Sequence, residues 1–403
     1  MISRKWRVLG TLAVAELFAM SLWFSASAVA PQLATAWGLA PEQAGLLTTT
    51  VQLGFVVGAL ASAALTLSDV LPPRYLLAGS ALVGAAATVA LATVVTTPTA
   101  ALTLRFVTGV ALAGVYPPGM KLVAGWFREE RGLAIGTLIG ALTVGSALPH
   151  LLRAVGGIDR PRLVLLGAAA LATVGGVVVL RVRPGPYQSP AAPFDPAAVR
   201  RILRDPPTLL ANTGYFGHMW ELYAVWTWIP LFLALAYDAS DHPLATPEAA
   251  ALTAFGAIAI GGVGALVAGR AADIWGRTTI TAASMVLSGL ASLLAGLVFG
   301  ASPLVVVPFV LGWGFVIVAD SAQFSAAVTE LADSSYVGTA LTLQTAFGFL
   351  LTVVSIQLTP VVADAVGWQW AFAPLAVGPV VGTLAMWRLR GRPEAVKLAG
   401  GRG

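Results

Sequence analysis

Two glutamates in the middle of long apolar segments are the first residues that could do chemistry. Glu16 belongs to "ELFAMSLWF" and Glu221 to "ELYAVWTWI", and neither stretch carries another charge. An ionised carboxylate in hydrocarbon costs about 2.5 to 3.5 kcal/mol, so such an acid indicates either a functional site or a structural group bonded to a neighbouring helix. His218 lies one turn before Glu221, and an imidazole beside a carboxyl could pass a proton. Both interpretations stay open for both acids.

Three more charged groups, Arg105, Lys121 and Asp320, interrupt apolar segments. Arg105 is a fixed positive charge that could hold an anion, pair with a proton-sensitive acid, or reach the outer headgroups. Asp320 has no charged neighbour in the sequence, so its partner must come from another helix, with Arg105 or Lys121 as candidates. The candidates for substrate or proton binding are therefore Glu16, Arg105, Tyr116, His218, Glu221, Trp228, Asp320 and Gln323.

The composition excludes an ordinary soluble domain. Of 403 residues, 58% are hydrophobic and 10% charged, whereas soluble domains carry about 25% charged residues. The net charge of +5 is explained better by cytoplasmic loops of a membrane protein than by nucleic-acid binding. With no cysteine and three histidines, we expect no disulfide, no bound metal and no cofactor.

Turn residues and charges divide the chain into twelve apolar segments, each about the 20 residues that a helix needs to cross a bilayer. With the N-terminus inside, 18 of the 23 basic residues are cytoplasmic, and Arg153, Arg160 and Arg162 are outside. This asymmetry predicts a multi-pass protein of the cytoplasmic (inner) membrane with both termini cytoplasmic. His150 and Arg153 are expected at a solvated rim. The predicted spans are 7–31, 42–67, 74–96, 99–125, 131–155, 161–181, 207–236, 248–270, 278–300, 303–329, 337–363 and 368–389.

The two halves of the chain repeat each other. Glu16 matches Glu221, Trp23 matches Trp228, and "FVTG" at 106–109 matches "FVLG" at 309–312, at offsets of 203 to 205 residues. Six spans per unit give both copies the same orientation, which predicts an all-α membrane protein of two six-helix bundles related by a pseudo-two-fold axis. The predicted divisions are an N-terminal bundle 1–181, a cytoplasmic linker 182–206, a C-terminal bundle 207–392 and a cytoplasmic tail 393–403.

A loop motif links the chain to a known family. Gly269, Asp273, Gly276 and Arg277 in "GRAADIWGR" fit the pattern G-x-x-x-D-x-x-G-R, and the chain resembles the major facilitator superfamily over its whole length. The resemblance implies two bundles that rock about a central cavity lined by helices 1, 4, 7 and 10. Asp273 and Arg277 are then expected to hold one state shut at the cytoplasmic side.

Two further motifs carry the same resemblance. The first-half copy of the loop keeps Asp69 and has Arg74 shifted by one position, and "RFVTG" from Arg105 resembles the R-x-x-x-G pattern of the fourth helix, which implies a coupling role. "GLAIG" at 132–136 is distantly similar to the nitrate/nitrite and cyanate porters. Helix two here has no arginine and helix five no asparagine, so nitrate itself is not expected.

The resemblance implies a secondary transporter, not an enzyme. We expect a monomer in the lipid bilayer that moves a small anion or metabolite by rocker-switch alternating access, coupled to protons. One alternative is a proton-driven exporter of amphipathic drugs that uses Glu16, Glu221 and the aromatic residues of helix seven. The other is a membrane sensor or scaffold that transports nothing.

Overall fold

The computed structural model describes residues 3–65, 67–127, 131–187, 196–333 and 336–402. This part of the chain contains helices and no strand. The α-helices are α1 Arg4–Met20, α2 Ala30–Trp37, α3 Pro41–Ala64, α4 Leu67–Val70, α5 Pro73–Thr93, α6 Pro98–Leu112, α7 Tyr116–Ala124, α8 Arg131–Leu152, α9 Pro161–Val179, α10 Pro196–Ile202, α11 Pro206–Asp238, α12 Pro247–Trp275, α13 Arg277–Leu294, α14 Pro303–Ala319, α15 Ser321–Leu331, α16 Val337–Val366 and α17 Val377–Arg390.

Eleven segments among the described residues are long and apolar enough to cross a membrane. They coincide with predicted spans two to twelve, and their ends differ from the predicted ones by at most five residues. Together with the first predicted span, they make the chain a multi-pass, all-α membrane protein. Apolar run length predicted these helices well because each must satisfy its backbone internally within the bilayer.

The first span is interrupted, which the sequence analysis did not predict. After α1 the chain runs through tight turns, such as Trp23 N–H to Met20 O at 3.0 Å, before a short 3₁₀ turn at Ser27–Val29 and α2. Pro31 near the start of α2 has no N–H to donate, so a helix cannot continue through it with full bonding. Within the interruption, the carbonyls of Leu22 and Trp23 accept hydrogen bonds from Arg105.

The fourth and tenth spans break at corresponding places. The fourth divides between α6 and α7, just before Tyr116, and the tenth divides at Asp320 between α14 and α15. The seventh span, by contrast, is the continuous helix α11 of 33 residues. Pro308 occupies the repeat position of Arg105, so the second half lacks the guanidinium that binds the interruption in the first. The two halves therefore share the order of their spans, but Arg105 and the break in the first span have no counterpart in the second half.

Several contacts bring the two termini to one end of the helices, here called the termini end. The Arg4 guanidinium lies over the Trp126 ring at 5.3 Å, and the Trp126 indole donates to the carbonyl of Arg183 in the predicted linker. At the other terminus, Arg402 donates to the carbonyl of Asp273. The opposite end is here called the distal end. The predicted domain boundaries stay a prediction, although α10 lies within the predicted linker.

The two halves contact each other mainly through two helix pairs, α3 with α16 and α8 with α12. Gly140 on α8 faces Gly262 on α12, and a Cβ added to Gly262 would lie 3.1 Å from the Gly140 carbonyl oxygen. The absence of side chains at this crossing lets the two backbones approach closely. Toward the distal end, the Gln357 amide donates to the Thr49 hydroxyl at 3.3 Å, which joins α16 to α3.

Candidate functional site

A cavity of about 420 Å³ lies between the halves, with walls from both. Its wall is mostly aromatic and aliphatic, with hydroxyls on one face of α15 from Ser321, Ser325 and Thr329, which follow at four-residue spacing. Arg277 and Glu330 are the charged groups among the described lining residues, and they lie toward the termini end. The volume is within the range of small-molecule sites, about 300 to 1,000 Å³. We call this space the central cavity.

Six rings pack across the distal end of the central cavity. Phe55 from the first half and Phe349 from the second have centroids 4.7 Å apart, and Trp23 lies 5.4 Å from Phe349 and 5.8 Å from Tyr223. All six rings are less than 9% exposed. They therefore close the distal end of the cavity with contacts made between the halves. This aromatic cluster comprises Trp23, Phe24, Phe55, Tyr223, Trp226 and Phe349.

Arg277 of the loop motif is held within its own half. Its guanidinium donates to both carboxylate oxygens of Glu330, at 2.8 and 2.6 Å, and to the Gln323 amide oxygen at 2.7 Å. Asp273 is 68% exposed and lies 3.9 Å away. In this conformation the better-buried carboxylate of Glu330 on α15, not Asp273, takes the guanidinium in a two-point contact. The expectation that Asp273 and Arg277 hold one state shut stays a prediction.

The glycines of the motif have separate physical reasons. Gly276 is the single residue between α12 and α13, with φ +93° and ψ 146°, a backbone region open almost only to glycine. Gly269 lies beside Gln323, whose amide nitrogen would be 3.8 Å from an added Cβ. In the first-half copy, Arg74 donates to the carbonyl of Val182 at 3.4 Å. The side chain of Asp69 lies outside the described residues.

Arg105 binds backbone, not a carboxylate. It is fully buried, donates to the carbonyls of Leu47 and Leu22 at 3.1 and 3.0 Å, and also donates to Trp23 O and Ser25 Oγ. The planar guanidinium suits this task because its donors diverge toward several acceptors at once. Arg105 therefore joins the interrupted first span to α3 and α6.

The two repeat glutamates lie inside their own halves. Glu221 accepts from the Ser292 hydroxyl at 2.6 Å and from the Trp313 indole at 3.4 Å, on α13 and α14. Glu16 is fully buried, and neither carboxylate oxygen has a hydrogen-bond partner among the described residues. The near-identical sequence around the two acids therefore leads to different surroundings.

Asp320 pairs with His218. The imidazole Nδ1 lies 2.8 Å from an Asp320 carboxylate oxygen, and both side chains are 2% exposed. The expectation that Arg105 or Lys121 pairs with Asp320 was wrong, because α11 places His218 beside the break in the tenth span. The next residue, Ser321, is already in the wall of the central cavity. The pair thus lies at the junction of α14 and α15, one residue from the cavity wall.

Most of the predicted substrate and proton residues are not in the cavity wall. Tyr116 lines it, whereas Trp228 lines a separate pocket toward the distal end. Among the described residues, most of these candidates therefore do not face one another across the cavity, and their role in binding substrate or protons stays a prediction. The cost of a bare charge at this depth is met instead by partners within each half, except at Glu16. The groups that lie behind the wall are Glu16, Arg105, His218, Glu221, Asp320 and Gln323.

Sequence reasoning missed Glu330 and the hydroxyl face of α15. Ser321, Ser325 and Thr329 recur every four residues, and Glu330 follows directly. A helical-face count along the tenth span would have found this stripe. The rim expected for His150 and Arg153 was also wrong, since the side chains are 0% and 9% exposed.

No group of three or more His, Asp and Glu side chains that could hold a metal ion occurs in the described ranges. The described wall of the central cavity presents rings, hydroxyls and the Arg277–Glu330 pair. Such a wall can stack on a small molecule and form hydrogen bonds with it.

Comparisons with known proteins give a family and a fold. The family model described as Major Facilitator Superfamily matches residues 12–319 and 245–403. No curated protein matches the sequence significantly. The crystal structure of a point mutant of the nucleoside transporter NupG is similar with a TM-score of 0.71 at 15% identity, covering 95% of this chain and 99% of that one. Because 313 chains of solved structures match, the fold alone does not select a substrate.

Proposed function

The chain belongs to the Major Facilitator Superfamily, a family of transporters, and from this premise we propose that it carries one small metabolite through the central cavity by alternating access. The observation that supports the proposal is the 420 Å³ cavity with walls from both halves, closed distally by the aromatic cluster. Closure by contacts between halves can be undone by a rigid rotation of one bundle against the other.

The cavity wall favours an uncharged solute over an anion. Its one arginine, Arg277, is neutralised by two bonds to Glu330, so no unpaired cation among the described lining residues is available to an anion. Rings such as Tyr215 and Trp226 and the hydroxyls of Ser321 and Ser325 suit a flat ring that carries hydroxyl groups. A nucleoside, the class named for NupG, has this chemistry, and we take it as the first class to test.

Proton coupling is assigned to His218 and Asp320. The pair lies at the α14–α15 junction, one residue before the hydroxyl face of the cavity, so a proton gained or lost there would change the charge next to that face. The charge asymmetry of the loops supports the cytoplasmic membrane with the termini end inside.

The first experiment uses purified protein in proteoliposomes. A panel of nucleosides and other neutral ring compounds is screened by ligand-induced thermal shift, and each compound that binds is tested as a radiolabelled substrate for uptake. Ala322→Trp fills the cavity wall and should abolish uptake. Leu304→Trp, at a 70% exposed position of the same span, is the matched control and should retain it.

Coupling is tested separately with a pH-sensitive dye inside the vesicles. Solute should drive proton movement in the wild type, and Asp320→Asn should abolish gradient-driven uptake while leaving solute exchange. If uptake depends neither on the pH gradient nor on Asp320→Asn, the proposed role of Asp320 in proton coupling is refuted. The proposal that the solute passes through the central cavity is not affected. Hydrophobic cations as substrates would favour the drug-exporter alternative, and binding without flux would favour the sensor.

A further inference from the structure

A second pocket, here called the distal pocket, lies one helical turn beyond the aromatic cluster. It has a volume of about 180 Å³ and is walled by both halves. Ser27, Ala30 and Pro31 of the first span face Trp228 and Leu231 of α11 across it. Because the same two segments carry the cluster residues one turn earlier, the pocket lies on the path between the halves and is separated from the central cavity by the six rings.

Arg153 is the charged side chain among the described residues of this wall. It follows directly after α8, is 9% exposed, and its Nε atom is buried without a hydrogen-bond partner. No carboxylate among the described residues lies within ion-pair distance of it, although the charge of Asp159 is near enough to favour its charged form. A largely buried guanidinium that has an unpartnered Nε and no carboxylate in direct contact is costly, which makes an anion a favourable occupant.

The other polar groups of the pocket are already occupied. The Ser27 hydroxyl bonds with the Thr48 hydroxyl at 2.5 Å, and the Thr227 hydroxyl donates to the Tyr223 carbonyl at 2.6 Å. What remains is one positive charge, the Trp228 ring, and an apolar surface of alanine, proline and leucine. The space equals about six water molecules at their liquid volume. Charge, ring and size together select a small anion with an apolar body.

We propose that the distal pocket binds a small organic monocarboxylate, with its carboxylate on Arg153 and its body against Trp228. The two oxygens of a carboxylate match the paired N–H groups of a guanidinium. A lipid headgroup would supply similar charge, but the wall of the pocket comes from both halves of the chain. This proposal does not depend on which solute the central cavity carries, so it is independent of the proposed function.

The test uses the full chain in nanodiscs of phosphatidylcholine and measures binding by calorimetry. Benzoate is the probe, and benzamide is its uncharged counterpart. Benzoate should bind at least about tenfold more tightly than benzamide, the usual effect of a hydrogen bond to a charged group. Arg153→Gln should remove this preference. Arg162→Gln, which makes the same charge change at an exposed position of the same end, should leave it intact.

Three results would overturn the proposal. Benzoate and benzamide could bind equally, the preference could survive Arg153→Gln, or phosphatidylglycerol added to the nanodiscs could abolish benzoate binding, which would assign Arg153 to a lipid. If Arg153→Gln does not fold, Arg153→Lys is used, which keeps the charge and must keep the preference for benzoate. Equal binding of benzoate and benzamide to the wild type would refute the proposal without any variant. Because no flux is measured, a negative result leaves the cavity proposal untouched.

Discussion

Phe349→Ala should open the distal end of the central cavity. Phe349 on α16 contacts Phe55 at 4.7 Å and Trp23 at 5.4 Å, and both partners belong to the other half. These contacts exist only while the distal end is closed, so their loss raises the free energy of that state. At about 0.5 to 1.5 kcal/mol for each aromatic pair, two pairs supply about 1 to 3 kcal/mol, which shifts the equilibrium between conformers roughly 5- to 150-fold.

The assay exploits the absence of cysteine from the chain. Met20→Cys places one thiol in the cavity wall below the aromatic cluster. A membrane-impermeant thiol reagent applied from the distal side of intact cells reaches that thiol only when the cluster opens. We expect slow labelling in the Met20→Cys background and a rate roughly 5- to 150-fold higher when Phe349→Ala is added.

Phe372→Ala is the matched control. Phe372 is also buried and contacts two rings, Phe232 at 5.2 Å and Trp313 at 5.4 Å, but all three residues belong to the second half. Its loss should destabilise the protein, as large-to-small core substitutions do, without favouring one conformer. An equal rise in labelling for both variants, or no rise for Phe349→Ala, would refute the assignment of the cluster as the distal closure.

Three further predictions concern stability and selectivity. Arg105→Gln leaves backbone carbonyls of the interrupted first span without donors and should lower the free energy of unfolding by about 3 kcal/mol or more, seen as a lower Tm in detergent. Gly276→Ala should cost about 1 to 3 kcal/mol because of the backbone conformation, whereas Gly312→Ala, at an open helical position, should leave the Tm unchanged or slightly raised. Glu330→Gln should cost about 1 kcal/mol because the pair is partly exposed, and by freeing Arg277 it should let anionic compounds give thermal shifts that the wild type does not show.

The sequence was sufficient for the fold because each span must be long, apolar and internally bonded. The interruption of the first span could not be predicted from the sequence. That break depends on Arg105 reaching carbonyls 82 and 83 residues away, and no local pattern encodes such a contact. Pro31 was a local signal for the break, but proline also occurs inside continuous spans such as α11, at Pro230.

The site was harder to predict for a related reason. Both the face of a helix toward the cavity and the face toward its own bundle are apolar here, so periodicity does not tell them apart. The sequence does not show whether Glu221 faces the cavity or its own bundle. Its hydrogen bonds with Ser292 and Trp313 show that it faces its own bundle. The hydroxyl stripe of α15 was accessible to sequence reasoning, because three hydroxyl residues at four-residue spacing mark one polar face of an otherwise apolar helix.

The difference between the first and seventh spans has a mechanical consequence. α11 has 33 residues without a break, which makes it a rod about 50 Å long, while its counterpart has a joint near mid-length. If the two halves separate at the distal end, the first span has a break at residues 21–26 where it could bend, whereas α11 has no break and would have to tilt as a whole. The two repeats therefore differ in stiffness, because the first span is interrupted near its middle and the seventh is not.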